Sequence, residues 1–394
     1  MVEGLPGGRH AGATVTPPGC AGRHTSIYAR RRARGFGHAS GVRAPGEETK
    51  PTRGRPWIAA ALAAALALGA GSATWARGPL GARDADYQDA VALAHKRYVS
   101  ERSGKVSQSN TALAAVSPDL YAVVVVRVDG KVFEAGDAGK PLLLTAIAAP
   151  FTAALVGEQR GADFMNSTAG ALAGTAPVPP GRSTADWGKP PTTALELDGA
   201  LAMLSLVQPQ GDVDGKWRVL VANLGGFAGH EPSLDEAAYQ AALAAATRVN
   251  TKARDLSQEG RLTDKAELTA DLYLRQGSVT LTTRELAIMA ATLANKGENP
   301  VSRKRVVSEP VAINIQQLLI NSGLKGGKRA DWLKKAGVGV SIGESGAIIM
   351  VVPGRLGIAV YSPPLDSAGN SVRGQRALRY LIQTLFIGPD PTAP

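Results

Sequence analysis

Segments with a β pattern stand near both ends of the chain and enclose a long helical block, and this arrangement limits the fold more than any other feature. Near the start, LYAVVVVRV and KVFEAG flank Asp129-Gly130, a pair typical of the tight turn in a β-hairpin. Near the end, GVGVSIGESGAIIMVVPGRLGIAVYSP predicts three strands, separated at residues 343–346 and at Pro353-Gly354. We therefore expect an α+β fold whose antiparallel sheet is built from both ends of the chain.

The segments between and around these strands have apolar residues at helical spacing. RDADYQDAVALAHKRYVSERS, residues 83–103, predicts an amphipathic helix, and another should start near Ala146, where Pro150 is acceptable only in a first turn. The remaining predicted helices cover 194–206, 234–258, 283–296, 309–322 and the closing stretch SVRGQRALRYLIQTLFI. Residues 174–192 are dense in Pro and Gly and predict an exposed insertion.

A basic arm and an uncharged run precede this domain. Residues 1–56 hold ten Arg and Lys against three Glu, which is +7 of the net charge of +11. Because this excess lies in a Gly- and Arg-rich arm with few apolar residues, we expect a disordered arm and no nucleic-acid binding.

The uncharged run, residues 57–76, reads WIAAALAAALALGAGSATWA and has about the length of a membrane-spanning helix. The basic residues before it place the arm in the cytoplasm, so residues 77–394 are expected outside it, anchored by a single pass. The small residues ending at Ala73 leave an alternative, in which the run is a signal peptide and the domain is secreted.

Few side chains suited to metal or thiol chemistry occur in the chain. Cys20 is the only cysteine and lies in the arm, and only His95 and His230 occur outside the arm. The domain therefore has no disulfide or cysteine nucleophile, and we expect neither a metal nor a cofactor. A histidine-dependent triad would need one of two isolated histidines, which are more simply core or surface residues.

Three stretches carry a resemblance to the bacterial glutaminases, a branch of the serine β-lactamase-like fold. They read SGKVSQSNTALAAVSPDLYAVVVVRVDGKVFEAGDAG, SVTLTTRELAIMAATLANKG and KAGVGVSIGESGAIIMVVPGRLGIAVYSPPLDSAGNSVRG. The resemblance runs from about Tyr87 to Leu385. It implies hydrolysis of the side-chain amide of L-glutamine by a Ser that begins a buried helix, with a Lys three residues later as its base. Residues at this spacing share one helix face, so the hydroxyl and the amine meet.

Aligned on Gly136-Asp137, the family's Ser falls on Ala146 and its Lys on Ala149. Both reactive groups are missing. Thr145 is adjacent but points about 100° away on a helix, with no amine three or four residues on. Ser322 has a Lys three residues later, but it ends a predicted helix, and a cap is the simpler interpretation.

The family positions that hold the substrate can be carried over one by one. They fall on Thr168, Leu243, Asn250, Tyr273, Lys325, Lys335 and Val338. Asn250, Tyr273, Lys335 and Val338 keep the family's residue type. Thr168 replaces an Asn, Leu243 the Glu that holds the amino group, and Lys325 a Tyr.

The resemblance and these losses together predict a catalytically degenerate glutaminase-family domain. We expect it to act as a membrane-anchored binding or scaffold module, with a small amide or amino-acid ligand, an unidentified protein partner, or a second copy of itself. The alternative is an active glutaminase or amidohydrolase that uses a non-standard nucleophile.

Overall fold

The computed structural model describes residues 83–164, 195–324, 333 and 335–385. The basic arm, the uncharged run at 57–76 and the insertion at 174–192 lie outside these residues. Within the described ranges, no helix combines the length and the apolar character needed to cross a bilayer. The predicted membrane span is therefore not tested by the structure.

The main sheet has five strands, all antiparallel, in the order β2-β1-β8-β7-β6. A second sheet has three short strands in the order β3-β5-β4. The strands are β1 Ala122–Arg127, β2 Val132–Gly136, β3 Pro141–Leu143, β4 Ser233–Leu234, β5 Val279–Thr282, β6 Gly339–Ile342, β7 Ala347–Val352 and β8 Leu356–Tyr361. The predicted hairpin and the three late strands are confirmed, and β1 pairs with β8 as expected for a sheet built from both ends of the chain.

Twelve helices are present among the described residues. They are α1 Asp84–Tyr98, α2 Thr111–Ala114, α3 Ala149–Arg160, α4 Ala162–Phe164, α5 Leu197–Leu206, α6 Val213–Ala228, α7 Glu236–Ala244, α8 Thr247–Gln258, α9 Ala266–Gly277, α10 Thr283–Ala294, α11 Glu309–Ser322 and α12 Val372–Thr384. A 3₁₀ turn, Thr145–Ala148, precedes α3.

Helices cover the main sheet on both faces. Val123 and Val125 join a core with α1 and α12, whereas Val124 and Val126 join the larger core under α3, α10 and α11. Successive strand residues point to opposite faces, so burial of both faces explains why β1 contains four consecutive valines.

The helical block differs from the prediction in two ways. The helix expected over 234–258 is broken at Ala245 and Ala246, which separate α7 from α8. Helices α6 and α9 were not predicted. The start of α3 agrees with the prediction, since Pro150 occupies its first turn.

Candidate functional site

A cavity of about 820 Å³ opens where the 3₁₀ turn meets the end of β6. The junction of α7 and α8 and one face of α9 form its other walls, and the start of α5 lies at its rim. It contains the residues that the sequence analysis placed at the start of the buried helix, so it is the natural candidate for the functional site.

Thr145 has the most unusual backbone in this cavity. Its φ of 49° lies in the left-handed region, where a β-branched residue is a true outlier. Its Oγ1 atom is buried and has no hydrogen-bond partner among the described residues, and the same holds for the Oγ atom of Ser345. Strained residues of this kind cluster at functional sites, which supports the cavity as the candidate site.

Thr145 faces the turn between β6 and β7. A Cβ atom added to Gly343 would lie 2.5 Å from Thr145 Oγ1 and 3.3 Å from Ser345 Oγ. Glycine is required at this position because any side chain would collide with the Thr145 hydroxyl. The two unpartnered hydroxyls therefore lie close together beside Gly343.

Ala146 and Ala149 both line the cavity. Ala149 is 4% exposed and begins α3, one turn beyond Ala146. The wall of the cavity therefore carries two methyl groups where the family resemblance implies a hydroxyl and an amine. Neither a nucleophile nor a base is supplied from these positions.

Tyr273, on α9, lines the cavity between two charged groups. The pKa of Tyr273 is raised to about 12, mainly by burial and also by the Glu344 carboxylate, while the Arg248 guanidinium opposes the increase. Both charged side chains line the same cavity. The phenol stays protonated at neutral pH and can donate a hydrogen bond to a ligand.

The rim contains polar groups that already have partners. Asp198 pairs with Lys252 at 3.4 Å. The Asn110 side chain caps α2 by accepting a hydrogen bond from the Leu113 N–H at 2.9 Å. Ser322 donates its hydroxyl to the Leu318 carbonyl at 2.8 Å, which agrees with its interpretation as a helix-end residue. A Ser322 nucleophile would have to give up this bond.

Comparisons with known proteins match this chain to one family. The family model described as Glutaminase covers residues 104–387. The chain belongs to the glutaminase family. The matched span includes both sheets and every wall of the cavity.

Relatives and solved structures of this glutaminase-family chain agree with the assignment. Glutaminase 2 of Yersinia pestis is 35% identical over 75% of this chain and 86% of its own length, and the glutaminase of Mycobacterium ulcerans is 35% identical over 79% and 96%. The structure of the probable glutaminase ybaS has a TM-score of 0.69 and 30% identity, over 78% of this chain and 99% of its own. The structure called Mglu in its L-glutamate binding form has a TM-score of 0.69 and 28% identity, over 78% and 68%. The expected α+β glutaminase fold is thus confirmed.

Two of the predicted site residues on α7 and α8 lie outside the cavity. Leu243 is 37% exposed and lies with Asn250 in a separate shallow depression. Ala242, Arg248 and Val249 line the cavity instead. Neighbouring helical residues point about 100° apart, so a difference of one position turns a side chain from the cavity to solvent.

Two predicted site residues near the late strand also lie outside the cavity. Lys335 is exposed and Val338 is buried in a hydrophobic core, and neither lines the cavity. Ser341 and Glu344, six positions further on, do line it.

Thr168 and Lys325 lie outside the described residues, so their predicted places in the site stay predictions. The described residues contain no group of three or more His, Cys, Asp or Glu side chains that could hold a metal ion. Arg248 and Glu344 are the cavity residues that sequence reasoning missed. The signal for Glu344 was an acidic residue inside a glycine-rich turn between two apolar strands.

Proposed function

We propose that this chain is a glutaminase-family domain that binds a small amino-acid-type ligand without hydrolysing glutamine. The observation that carries the proposal is the pair of alanine side chains, Ala146 and Ala149, in the cavity wall. Loss of a hydrolase nucleophile can lower turnover on the order of a millionfold, and further losses add little because the group acts as a unit.

The charge of Glu344 also opposes acyl transfer in this cavity. Amide hydrolysis places negative charge on the carbonyl oxygen, which donors must stabilise. A carboxylate about 5 Å from that oxygen would destabilise it by roughly 3 kcal/mol at an effective dielectric constant of about 20. Ligand binding is supported by Arg248 and Tyr273, which line the cavity and offer donors to a ligand carboxylate. Mglu, a relative by structure, has been solved in an L-glutamate binding form.

The test is ammonia release from L-glutamine by the full chain beside the variant Ala146→Ser, Ala149→Lys. The matched control is Ala148→Ser, Ala149→Lys, because Ala148 is buried in the core and does not line the cavity. We expect no turnover by the wild type above the uncatalysed rate. Turnover gained by the first variant and not by the control would place the lost chemistry at Ala146. Wild-type turnover at about 1 s⁻¹ or more, ordinary for an enzyme, would refute the proposal.

A second candidate is an active glutaminase that uses a non-standard nucleophile. The buried, unpartnered Thr145 hydroxyl favours it, as do the relatives named glutaminases. If it is correct, Thr145→Ala abolishes ammonia release, whereas Thr145→Ser retains much of it. Equal rates in both variants would remove Thr145 from consideration.

Membrane attachment through residues 57–76 belongs to the same proposal. Its support is the length of the uncharged run and the basic residues before it. The full chain should stay in the membrane pellet after extraction at high pH, and a chain lacking residues 57–76 should not. Release of the full chain by this treatment would favour cleavage near Ala73 and secretion.

A further inference from the structure

Glu344 is held in the cavity by a rigid turn. The Gly343 N–H donates to the Ala347 carbonyl at 2.9 Å, and the Gly346 N–H donates to the Gly343 carbonyl at 3.0 Å. Glu344 itself is partly buried and makes no hydrogen bond or ion pair with any described residue. A partly buried carboxylate is more stable with a cation beside it, and none of the described side chains supplies one.

Arg248 provides an opposite charge in the same cavity. It lies in the first turn of α8, and its guanidinium makes no ion pair or hydrogen bond with the described part of the chain. Tyr273 lines the same cavity as Arg248 and Glu344. Although the two charges share one cavity, they do not pair with each other. The cavity therefore offers two separate charged groups: Arg248 can bind a ligand anion, and Glu344 can bind a ligand cation.

The remaining groups of the cavity favour a cationic ligand. Its described wall and rim contain three carboxylates, Glu196, Asp198 and Glu344, against the single guanidinium of Arg248, and Asp198 is already paired. Near Glu344, the unpartnered hydroxyl of Thr145 can accept hydrogen bonds from an ammonium or guanidinium group. A neutral amide would leave the Glu344 charge uncompensated, and a second ligand carboxylate would be repelled.

From this arrangement we propose that the cavity binds a small basic amino acid, with the ligand's carboxylate at Arg248 and its side-chain cation at Glu344. This inference rests on the proposed binding function and names its ligand class. A volume of about 820 Å³ accommodates a molecule of this size with water around it. The change from the family's neutral amide to a cation follows from one residue, the acidic side chain in the β6–β7 turn.

The experiment is calorimetric titration of the full chain with L-arginine, L-lysine, L-glutamine and L-glutamate at low salt. We expect the basic amino acids to bind at least tenfold more tightly than L-glutamine, and L-glutamate to bind most weakly. Glu344→Gln removes the charge and keeps the shape, so it should weaken the basic ligands at least tenfold and leave L-glutamine unchanged or improved. Arg248→Gln should weaken all four ligands.

Glu309→Gln is the matched control, since Glu309 is an exposed carboxylate on α11, paired with Lys296 outside the cavity. Circular dichroism checks that each variant is folded. If L-glutamine or L-glutamate binds as tightly as L-arginine and L-lysine, the inference is overturned while the binding function stands. If Glu344→Gln binds L-arginine and L-lysine as tightly as the wild type does, the inference is likewise overturned while the binding function stands. If none of the four ligands binds to folded wild-type protein, the proposed function fails as well.

Discussion

Lys216 and Asp264 form a buried ion pair that sets the position of one wall of the cavity. Their side chains are 0% and 4% exposed, and the Lys216 ammonium also donates to the Ser205 carbonyl at 3.0 Å. Lys216 lies on α6, and Asp264 lies just before α9, the helix that carries Tyr273. The pair therefore joins α6 to the start of α9, the helix that carries Tyr273 in the cavity wall.

Lys216→Met should destabilise the domain strongly, because it leaves the Asp264 carboxylate buried without its cation. Breaking a buried pair in this way costs about 3–5 kcal/mol. Unfolding entropy is about 2.1 cal/mol/K per residue, so a domain of about 300 residues loses about 1 °C in Tm for each ~0.6 kcal/mol. The expected decrease in Tm is therefore about 5–8 °C, measured by differential scanning calorimetry.

Lys296→Met provides the comparison for this prediction. Lys296 and Glu309 pair at 2.7 Å, but their side chains are 62% and 47% exposed, so the loss should be at most about 1 kcal/mol, or under about 2 °C. Adding Asp264→Leu to Lys216→Met should recover most of the stability by removing the unpaired charge. Equal Tm decreases in the two single variants would show that burial does not govern the Lys216 pair.

Three further predictions concern the packing around α1, the hairpin and α12. Burial lowers the pKa of His95, so the folded state binds fewer protons than the unfolded state. The free energy of unfolding should therefore rise with pH up to about 6.5 and then level off. His95→Phe should flatten this part of the pH profile measured by urea denaturation. Gly136→Ala should lower Tm by several degrees, because φ is 79° and a Cβ atom would lie 2.1 Å from the Tyr121 carbonyl oxygen; an unchanged Tm would contradict this. Arg373→Lys should lower the free energy of unfolding, measured by chemical denaturation, by about 2–4 kcal/mol. The buried guanidinium donates to the Leu120 carbonyl at 3.0 Å and stacks on Tyr121, and a single ammonium cannot replace both contacts. A decrease under about 1 kcal/mol would refute the argument.

The strands could be predicted from sequence because their signals are local. Asp129-Gly130 marks the hairpin, and Pro353-Gly354 marks the turn between β7 and β8. The two helices that were not predicted, α6 and α9, have polar residues at buried positions. In α9 two inward positions are polar, and Thr152 donates its hydroxyl to the Gln276 side chain at 2.7 Å, so burial does not appear as an apolar stripe. In α6 the side chain of Lys216 is buried, although a lysine in a sequence normally indicates a surface position.

How closely a site residue can be assigned from sequence depends on its distance from a recognisable motif. Ala146 lies only ten positions after Gly136, and the structure places it in the cavity. Leu243 and Lys335 have no such motif nearby, and neither lines the cavity. The break between α7 and α8 contains only Ala245 and Ala246, residues that favour a continuous helix. Only tertiary packing determines which side chains face the cavity there.

The pairing of β1 with β8 also has a consequence for synthesis on the ribosome. Val124 pairs with Ala359, so the first strand of the sheet cannot gain its inner neighbour until nearly the whole domain has been made. At about 5–20 residues per second, the valine-rich edge of the β1–β2 hairpin stays open for roughly 10–50 s. An open apolar edge of this kind is a template for aggregation, so this segment is where a nascent chain most needs protection by a chaperone.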